Sequence, residues 1–172
     1  MKTLVIGYGN TLREDDGVGY RVAEQVAEWE VPGITAIACH QLTPELAVEI
    51  AQCDRVIFVD ASLPGMLTAP TLAPLTAAHT PLLEAHRSDP PGLLQLAAQL
   101  YDHRPQAWQM LLPTATMEFG ETLSAIAQQG SAAAIAHLRT LMQPDSTLTA
   151  PPSPPPSNSI PATPETAPQC RP

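Results

Sequence analysis

Short apolar runs alternate along this chain with segments whose apolar residues recur at helical spacing. Three of the runs are short and rich in β-branched residues, which is typical of buried strands; they are Lys2–Gly7, Ile34–Cys39 and Arg55–Asp60. Between the first two, valines at positions 18, 22 and 26 predict an amphipathic helix from Gly17 to Trp29.

The alternation continues beyond the second strand. Thr43 and Pro44 are the predicted N-cap and first residue of a helix that runs to about Cys53. Thr68–Leu75 predicts a weaker strand, and its prolines favour an edge position because proline cannot donate a ladder hydrogen bond. The other predicted elements are a helix capped by Ser88 or Asp89 that runs to Tyr101, a strand at Ala107–Leu112, and a helix at Thr122–Met142 that Gly130 could break.

Strands that alternate with helices indicate the α/β class. We expect a three-layer α/β/α sandwich with a twisted, mostly parallel five-stranded sheet, formed by one domain at residues 1–143. The composition changes after that domain, because ten of the twenty prolines lie in Pro144–Pro172. Residues 144–172 are therefore predicted to be a disordered, proline-rich tail.

The acidic composition excludes some partners. A formal net charge of -9 argues against nucleic acid and against an anionic membrane surface. The three cysteines form no CxxC pair, which suits a reducing compartment. No stretch is apolar enough for a signal peptide or a membrane helix, so a cytoplasmic location is expected.

The segment that follows the first strand carries both glycines and carboxylates. A dinucleotide fingerprint would need glycine at position 12, where Leu12 stands. Glu14, Asp15 and Asp16 would repel a pyrophosphate at close range, so the pattern favours a cation instead. Taken alone, this segment favours the alternative that Asp15 and Asp16 are only helix caps or first-turn anions.

Two further residues are candidates for the same crevice. Asp60 closes a buried apolar strand, where an unpaired carboxylate is costly, although it could be only a turn-forming residue. His86 precedes a predicted helix, and its alternative is an exposed loop histidine. Together with Asp16, they would form an incomplete shell that suits nickel, zinc or cadmium and leaves positions open for water or substrate.

At these residues the chain resembles the hydrogenase maturation proteases, which trim the large subunit of nickel–iron hydrogenases. The signature of that family, G-N-x-L-x-x-D-[DE]-G-x-G, is similar to the segment Gly9–Gly19. The apolar strand that ends at Asp60-Ala61 matches the second landmark of the family, and His86 before a Leu-rich helix matches the third. The resemblance covers about Met1 to Met142.

The resemblance implies an aspartyl-type endopeptidase and a substrate. Asp16, Asp60 and His86 would be its catalytic residues and would coordinate nickel that the substrate carries, with other divalent ions able to occupy the site. Position 16 is often Glu in the family. The implied partner is the precursor of the hydrogenase large subunit, from which a C-terminal extension is released. The implied fold is a mostly parallel five-stranded sheet between helices.

The residues after the second strand indicate which class of hydrogenase would be the substrate. His40-Gln41-Leu42 resembles the version found in the subgroup that serves bidirectional, NAD-coupled hydrogenases, so these residues are predicted to recognise the substrate. Their alternative is a plain strand-to-helix turn.

A non-catalytic alternative stays open, namely a nickel-site chaperone or a nucleotide-binding α/β module. The sequence has no G-x-S-x-G elbow and no H-E-x-x-H motif. Cys39 and His40 would be a poor dyad, because adjacent strand residues point to opposite faces.

Overall fold

The structure is a computed structural model that describes residues 1–77 and 89–143. Its strands are β1 (Thr3–Tyr8), β2 (Ile34–Cys39), β3 (Arg55–Ala61), β4 (Thr71–Leu75) and β5 (Gln106–Leu112). Its helices are α1 (Val18–Ala27), α2 (Leu46–Ile50), α3 (Pro90–Tyr101) and α4 (Ala125–Leu141), and a short 3₁₀ helix, Glu14–Gly17, precedes α1. His86 and the predicted tail at 144–172 lie outside the described residues. Within the described ranges, no helix has the length and apolarity that a bilayer crossing requires.

The five strands form one sheet in the order β2-β1-β3-β5-β4. Each neighbouring pair is parallel except the last, in which β4 runs antiparallel to β5. The predicted α/β class and mostly parallel sheet are confirmed. The predicted edge position of the proline-containing strand is confirmed as well, because among the described residues β4 pairs with β5 alone.

Two helical layers cover the two faces of the sheet. Because successive strand residues point to opposite faces, each strand contributes alternate side chains to each layer. One core packs against α2 and α3 and includes Leu4, Ile6, Val56, Phe58, Leu93 and Ala97. The other packs against α1 and α4 and includes Val5, Val22, Ile57, Val59, Met110 and Leu138. Burial on both faces explains why β1 and β3 are nearly continuous apolar runs.

The two predicted N-caps have different outcomes. Asp89 caps α3 as expected, because its Oδ1 accepts a hydrogen bond from the backbone N–H of Gly92 at 2.9 Å. The prediction that Thr43 caps α2 is wrong, since the N-cap of α2 is Glu45. The backbone N–H of Leu46 bonds to the carbonyl of Thr43, three residues back, so the chain makes a tight turn before the α-helix begins.

The last helix passes through Gly130 without a break, contrary to the sequence expectation. Its neighbour explains the glycine. A Cβ at position 130 would lie 2.6 Å from both Cγ and Cδ of Pro113, which follows β5. The absence of a side chain therefore lets α4 approach the end of β5, and this contact outweighs the low helix propensity of glycine.

Gly130→Ala tests this explanation. Helix propensity alone would stabilise the variant by about 1 kcal/mol. We expect destabilisation by about 1–3 kcal/mol, because the new methyl group overlaps the Pro113 ring. Urea unfolding gives the free energy of unfolding. The matched control is Ala133→Gly at an exposed position of the same helix, which should cost about 1 kcal/mol through propensity alone. A more stable Gly130→Ala variant would contradict the packing explanation.

Candidate functional site

The strand order of the sheet changes direction at β1. The chain passes from β1 to β2 on one side, and β3 then pairs with the other side of β1. Ligands bind beyond the carboxyl ends of the strands at such a switch point. Tyr8 ends β1, and Asp60 and Ala61 end β3. Gly7 pairs with Val59, so Tyr8 and Asp60 come next on the two adjacent strands. We call the carboxyl ends of β1 and β3, with Tyr8 and Asp60, the functional edge.

Asp16 reaches the functional edge because the loop after β1 folds back on itself. Gly9 has a φ of 140°, in the region that favours glycine, and a Cβ there would lie 1.8 Å from the backbone oxygen of Asp16. The next backbone N–H, that of Asn10, donates to Oδ2 of Asp16 at 2.9 Å. The tight loop therefore holds the Asp16 carboxylate beside the end of β1.

Asp16 and Asp60 are close enough to influence each other. Burial raises the pKa of the Asp60 carboxyl above its ordinary value, and the negative charge of Asp16 raises it further. Hydrogen bonds from the Tyr8 hydroxyl and the backbone N–H of Ala61 oppose this rise without cancelling it. The structure thus brings two of the three predicted site residues to one edge, in an arrangement that disfavours two negative charges.

Two polar residues at this edge, Tyr8 and Gln109, were not identified from the sequence. Tyr8 on β1 and Gln109 on β5 share the sheet face of Asp60, and the negative charges of Asp60 and Asp89 act on the Tyr8 hydroxyl. Burial, followed by the charge of Asp60, raises the pKa of Tyr8 well above 10.0, so its hydroxyl stays protonated. One signal was available: Tyr8 shares the strand parity of Leu4 and Ile6, which places it on the α2 and α3 side.

The third predicted residue, His86, lies outside the described residues. The described chain resumes at Asp89, three residues later, and Asp89 begins α3 within electrostatic reach of Tyr8. In the part of the chain that the structure describes, no group of three His, Cys, Asp or Glu side chains is arranged to hold a metal ion. The described residues therefore supply two carboxylates, which alone make an incomplete metal site.

Asp15 has a different role from its neighbour. Its side chain is fully buried and accepts four hydrogen bonds, from the backbone N–H groups of Ala115, Thr116 and Ser124 and from the Ser124 hydroxyl, at 2.6–3.2 Å. Burial alone would raise the pKa of the Asp15 carboxyl, but these hydrogen bonds outweigh burial and lower it. Asp15 does not cap α1, whose N-cap is Gly17. It binds the N-cap residue of α4 instead.

Further hydrogen bonds join the loop after β1 to the loop after β5. The backbone N–H of Glu14 donates to the carbonyl of Gly120 at 2.7 Å, and the backbone N–H of Gly120 donates to the carbonyl of Leu12 at 2.9 Å. The Thr116 hydroxyl donates to the Glu14 carboxylate at 2.6 Å. The two loops therefore form one unit around the buried Asp15.

The predicted recognition residues lie at the carboxyl end of β2. The His40 ring stacks on Tyr20, with ring centroids 5.3 Å apart. His40 and Gln41 are exposed, whereas Leu42 is only 4% exposed and packs in the core beside α2 and α3. A partner could therefore contact His40 and Gln41 directly, while Leu42 anchors the turn that presents them.

Neither described cysteine is a ready nucleophile. Burial raises the pKa of the Cys39 thiol, and it raises the pKa of the Cys53 thiol to about 11. Both sulfurs therefore stay protonated near neutral pH, whereas thiol chemistry needs the thiolate. This agrees with the expectation that Cys39 and His40 would be a poor dyad.

Asp15→Asn tests the buried carboxylate. The amide would turn an NH₂ group towards backbone donors, so we expect a loss of at least about 3 kcal/mol in the free energy of unfolding at pH 7. Because the folded-state pKa is lowered, this stabilisation is present above the unfolded pKa and is lost as pH falls through the folded pKa. The gap between wild type and variant should therefore shrink in acid. Asp54→Asn, at an exposed position, is the control, and equal losses in the two variants would contradict the assignment.

Asp60→Asn should have the opposite effect on stability. The folded-state pKa of Asp60 is raised, so the folded protein is penalised as pH rises through the carboxyl range, and the penalty is complete at neutral pH. We expect the neutral amide to raise Tm by a few degrees at pH 7, with the difference vanishing below the ordinary pKa of 3.8. Calorimetric scans at both pH values measure this. A lower Tm for the variant at pH 7 would show that the carboxylate is not under electrostatic strain.

Comparison with known proteins identifies solved structures that share this fold. No protein-family model and no curated protein matches the chain. Solved structures do match. The hydrogenase maturation protease HybD of Thermococcus kodakarensis has a TM-score of 0.64 and 20% identity over 82% of this chain and 99% of its own. The hydrogenase maturating endopeptidase HybD of E. coli has a TM-score of 0.58 and 22% identity over 80% of this chain and 90% of its own. The chain thus shares the α/β fold of solved hydrogenase maturation proteases.

Proposed function

We propose that this chain is an endopeptidase that removes the C-terminal extension of a nickel-loaded large-subunit precursor of a nickel–iron hydrogenase. The observation that carries the proposal is the pairing of Asp16 and Asp60 at the functional edge. Two neighbours that share the fold support it, since they are named for protease or endopeptidase activity in hydrogenase maturation. The peptidase activity, the substrate and the cytoplasmic location all belong to this proposal.

The nickel ion belongs to the substrate, and the chain recognises it. Asp16 and Asp60 supply negative charge, and His86 supplies a neutral nitrogen, a donor set that suits nickel. Each carboxylate is oriented by a backbone N–H group, that of Asn10 for Asp16 and that of Ala61 for Asp60. Oriented carboxylates of this kind are typical of metal sites, because their remaining lone pairs stay available to the ion.

The start of α3 supports a role for His86. Asp89 is the first described residue after the segment that contains His86, and its charge acts on Tyr8, which lies beside Asp60 on the neighbouring strand. A chain of three residues spans at most about 11 Å. The proposal therefore requires the segment between His86 and Asp89 to run towards the two carboxylates.

Nickel recognition turns binding into positioning. An ion held by three protein ligands fixes the precursor beside the site, so that the scissile bond is close to the reacting groups. Two routes of hydrolysis fit the residues. In one, the metal polarises the peptide carbonyl or activates a water molecule. In the other, a carboxylate is the general base, and the raised pKa of Asp60 makes it the stronger candidate.

The proposal extends to the choice of hydrogenase. We assign His40 and Gln41 to contacts with the precursor of a bidirectional, NAD-coupled enzyme. Both side chains are exposed at the end of β2, the strand next to β1, so they lie on the same edge of the sheet as the carboxylate pair. A precursor seated on the nickel-binding residues would have this turn within its footprint.

Incubation with purified precursor tests the function. The wild-type chain should shorten nickel-loaded precursor and leave nickel-free precursor intact, as mass spectrometry would show. Asp16→Asn, Asp60→Asn and His86→Ala should each lower the cleavage rate by at least about 100-fold while the protein stays folded, because each removes one ligand. The matched controls are Asp54→Asn and His137→Ala at exposed positions, which should cleave at the wild-type rate.

Other outcomes would favour the rival functions. Binding of the loaded precursor without shortening would indicate a nickel-site chaperone. NAD or ATP retained through purification would indicate a nucleotide-binding module. Full cleavage by the Asp16→Asn variant would contradict the role of that carboxylate, and cleavage of nickel-free precursor would contradict recognition through the metal.

A further inference from the structure

The two edges of the sheet differ in how they are protected. β4, at one edge, contains Pro74, which cannot donate a ladder hydrogen bond and therefore discourages a further strand. β2, at the other edge, has the sequence ITAIAC, with no proline and no charged side chain. All 6 of its residues keep some exposure to solvent, whereas most residues of β1 and β3 are buried. β2 is therefore an open edge.

The hydrogen bonds of β2 to its neighbour show which of its backbone groups are free. The carbonyls of Gly33 and Cys39 accept hydrogen bonds from the N–H groups of β1 and of the residue after it, at 2.8 and 3.2 Å. The odd-numbered residues of this strand therefore face β1. Because the backbone groups of alternate strand residues point to opposite sides, Ala36 and Ala38 direct their N–H and C=O groups away from the sheet. No described residue bonds to these outward groups.

We propose that β2 pairs antiparallel with β2 of a second copy of this chain, so that the two sheets join into one continuous sheet. This inference is independent of the proposed function. Two identical surfaces that pair in this way close by two-fold symmetry, which is the commonest arrangement of soluble oligomers. Because proline blocks the other edge of each sheet, assembly stops at the dimer.

The symmetric register is self-consistent. With the two-fold axis at Ala36, the two copies of this residue exchange both of their backbone hydrogen bonds. The N–H of Ala38 in each copy then donates to the carbonyl of Ile34 in the other. The N–H of Ile34 is already bonded to the carbonyl of Val31 at 3.0 Å, so the pairing takes no donor from the existing fold. The paired residues end before His40, so the turn proposed to contact the precursor stays outside the ladder.

The charge of the chain favours this surface for a second copy. With a formal net charge of -9, two copies repel each other over most of their surfaces. β2 is uncharged, so the antiparallel arrangement places no like charges opposite each other. On the face that packs on α2 and α3, Thr35 of one copy meets Ile37 of the other. Both side chains are β-branched, and such cross-strand pairs stabilise a sheet.

The helices beside β2 leave room for a further strand. On the face of α1 and α4, a cavity of about 420 Å³ has Trp29, Val31 and Ile34 in its lining. On the face of α2, a cavity of about 280 Å³ has Thr35 and Gln52 in its lining. A second strand can therefore approach β2 without displacing either helical layer. Because the paired strands run in opposite directions, the functional edges of the two copies point away from each other and stay open.

Sedimentation equilibrium of the full-length chain at micromolar concentration tests the pairing. Wild type should have twice the mass of one chain. Ala38→Pro removes an outward N–H and leaves the ladder to β1 intact, since edge strands accept proline at such a position. We expect this variant to keep a Tm within a few degrees of wild type and to sediment as a monomer. The dissociation constant should rise by at least about 100-fold, because the symmetry removes the bond from both copies.

Thr35→Lys is a second variant that keeps every backbone donor. Thr35 is exposed, so the monomer tolerates lysine, whereas the dimer would press its charge against Ile37 of the other copy. This variant should also be monomeric. The matched control is Thr71→Lys, at an exposed position of β4, which is the edge that the pairing does not use. The control should remain a dimer.

Hydrogen exchange locates the interface within the dimer. The amide of Ala36 points away from β1, yet it should exchange slowly in wild type and become fast in Thr35→Lys. A wild type that sediments as a monomer overturns the inference. A dimer that survives Thr35→Lys overturns it as well, and so does fast exchange at Ala36 in the wild-type dimer, since another surface then joins the copies. Thr35→Lys decides the outcome if Ala38→Pro fails to fold.

Discussion

The functional edge depends on one buried carboxylate. Asp15 gathers four hydrogen bonds from residues about a hundred positions further along the chain, and this closes the loop after β1 against the loop after β5 and the start of α4. Asp15 and Asp16 are adjacent in a 3₁₀ helix, where consecutive side chains point in different directions. Since Asp15 is fixed in the interior, Asp16 is turned towards the end of β1. The two neighbouring acidic residues thus have different roles: Asp15 holds the loop in place, and Asp16 presents its negative charge at the functional edge.

The sequence predicted the sheet because its signals are local. The bounds of β2 were predicted to the residue, and the alternation of strands and helices fixed the class. Contacts between residues far apart in the sequence determine how the loops and the last helix pack. No local sequence pattern predicts the hydrogen bond between Asp15 and Ser124. Nor does one predict that position 130 needs glycine because Pro113 packs against it. The pattern treated Asp15 and Asp16 alike, and only the folded chain distinguishes them.

The candidate site was predictable in part for the same reason. Asp60 ends an apolar strand, and the carboxyl ends of parallel strands meet at one edge, so its position next to the Gly9 loop follows from topology. The position of Tyr8 beside Asp60 follows from the pairing of β1 with β3, which no single segment reveals. His86 stays a prediction that rests on the resemblance of the sequence, because it lies outside the part of the chain that the structure describes.

Under the proposed function, the electrostatics of the functional edge would account for recognition of an ion that the substrate carries. Burial and the charge of Asp16 both disfavour ionised Asp60, so the edge is under electrostatic strain when two carboxylates face each other alone. A divalent cation between them would cancel the repulsion and replace the lost solvation with direct bonds. A partner that brings the cation gains this relief, whereas a partner without it must leave the strain in place. Under the proposed function, the same electrostatic cost of ionised Asp60 would supply selectivity for a metal-loaded precursor.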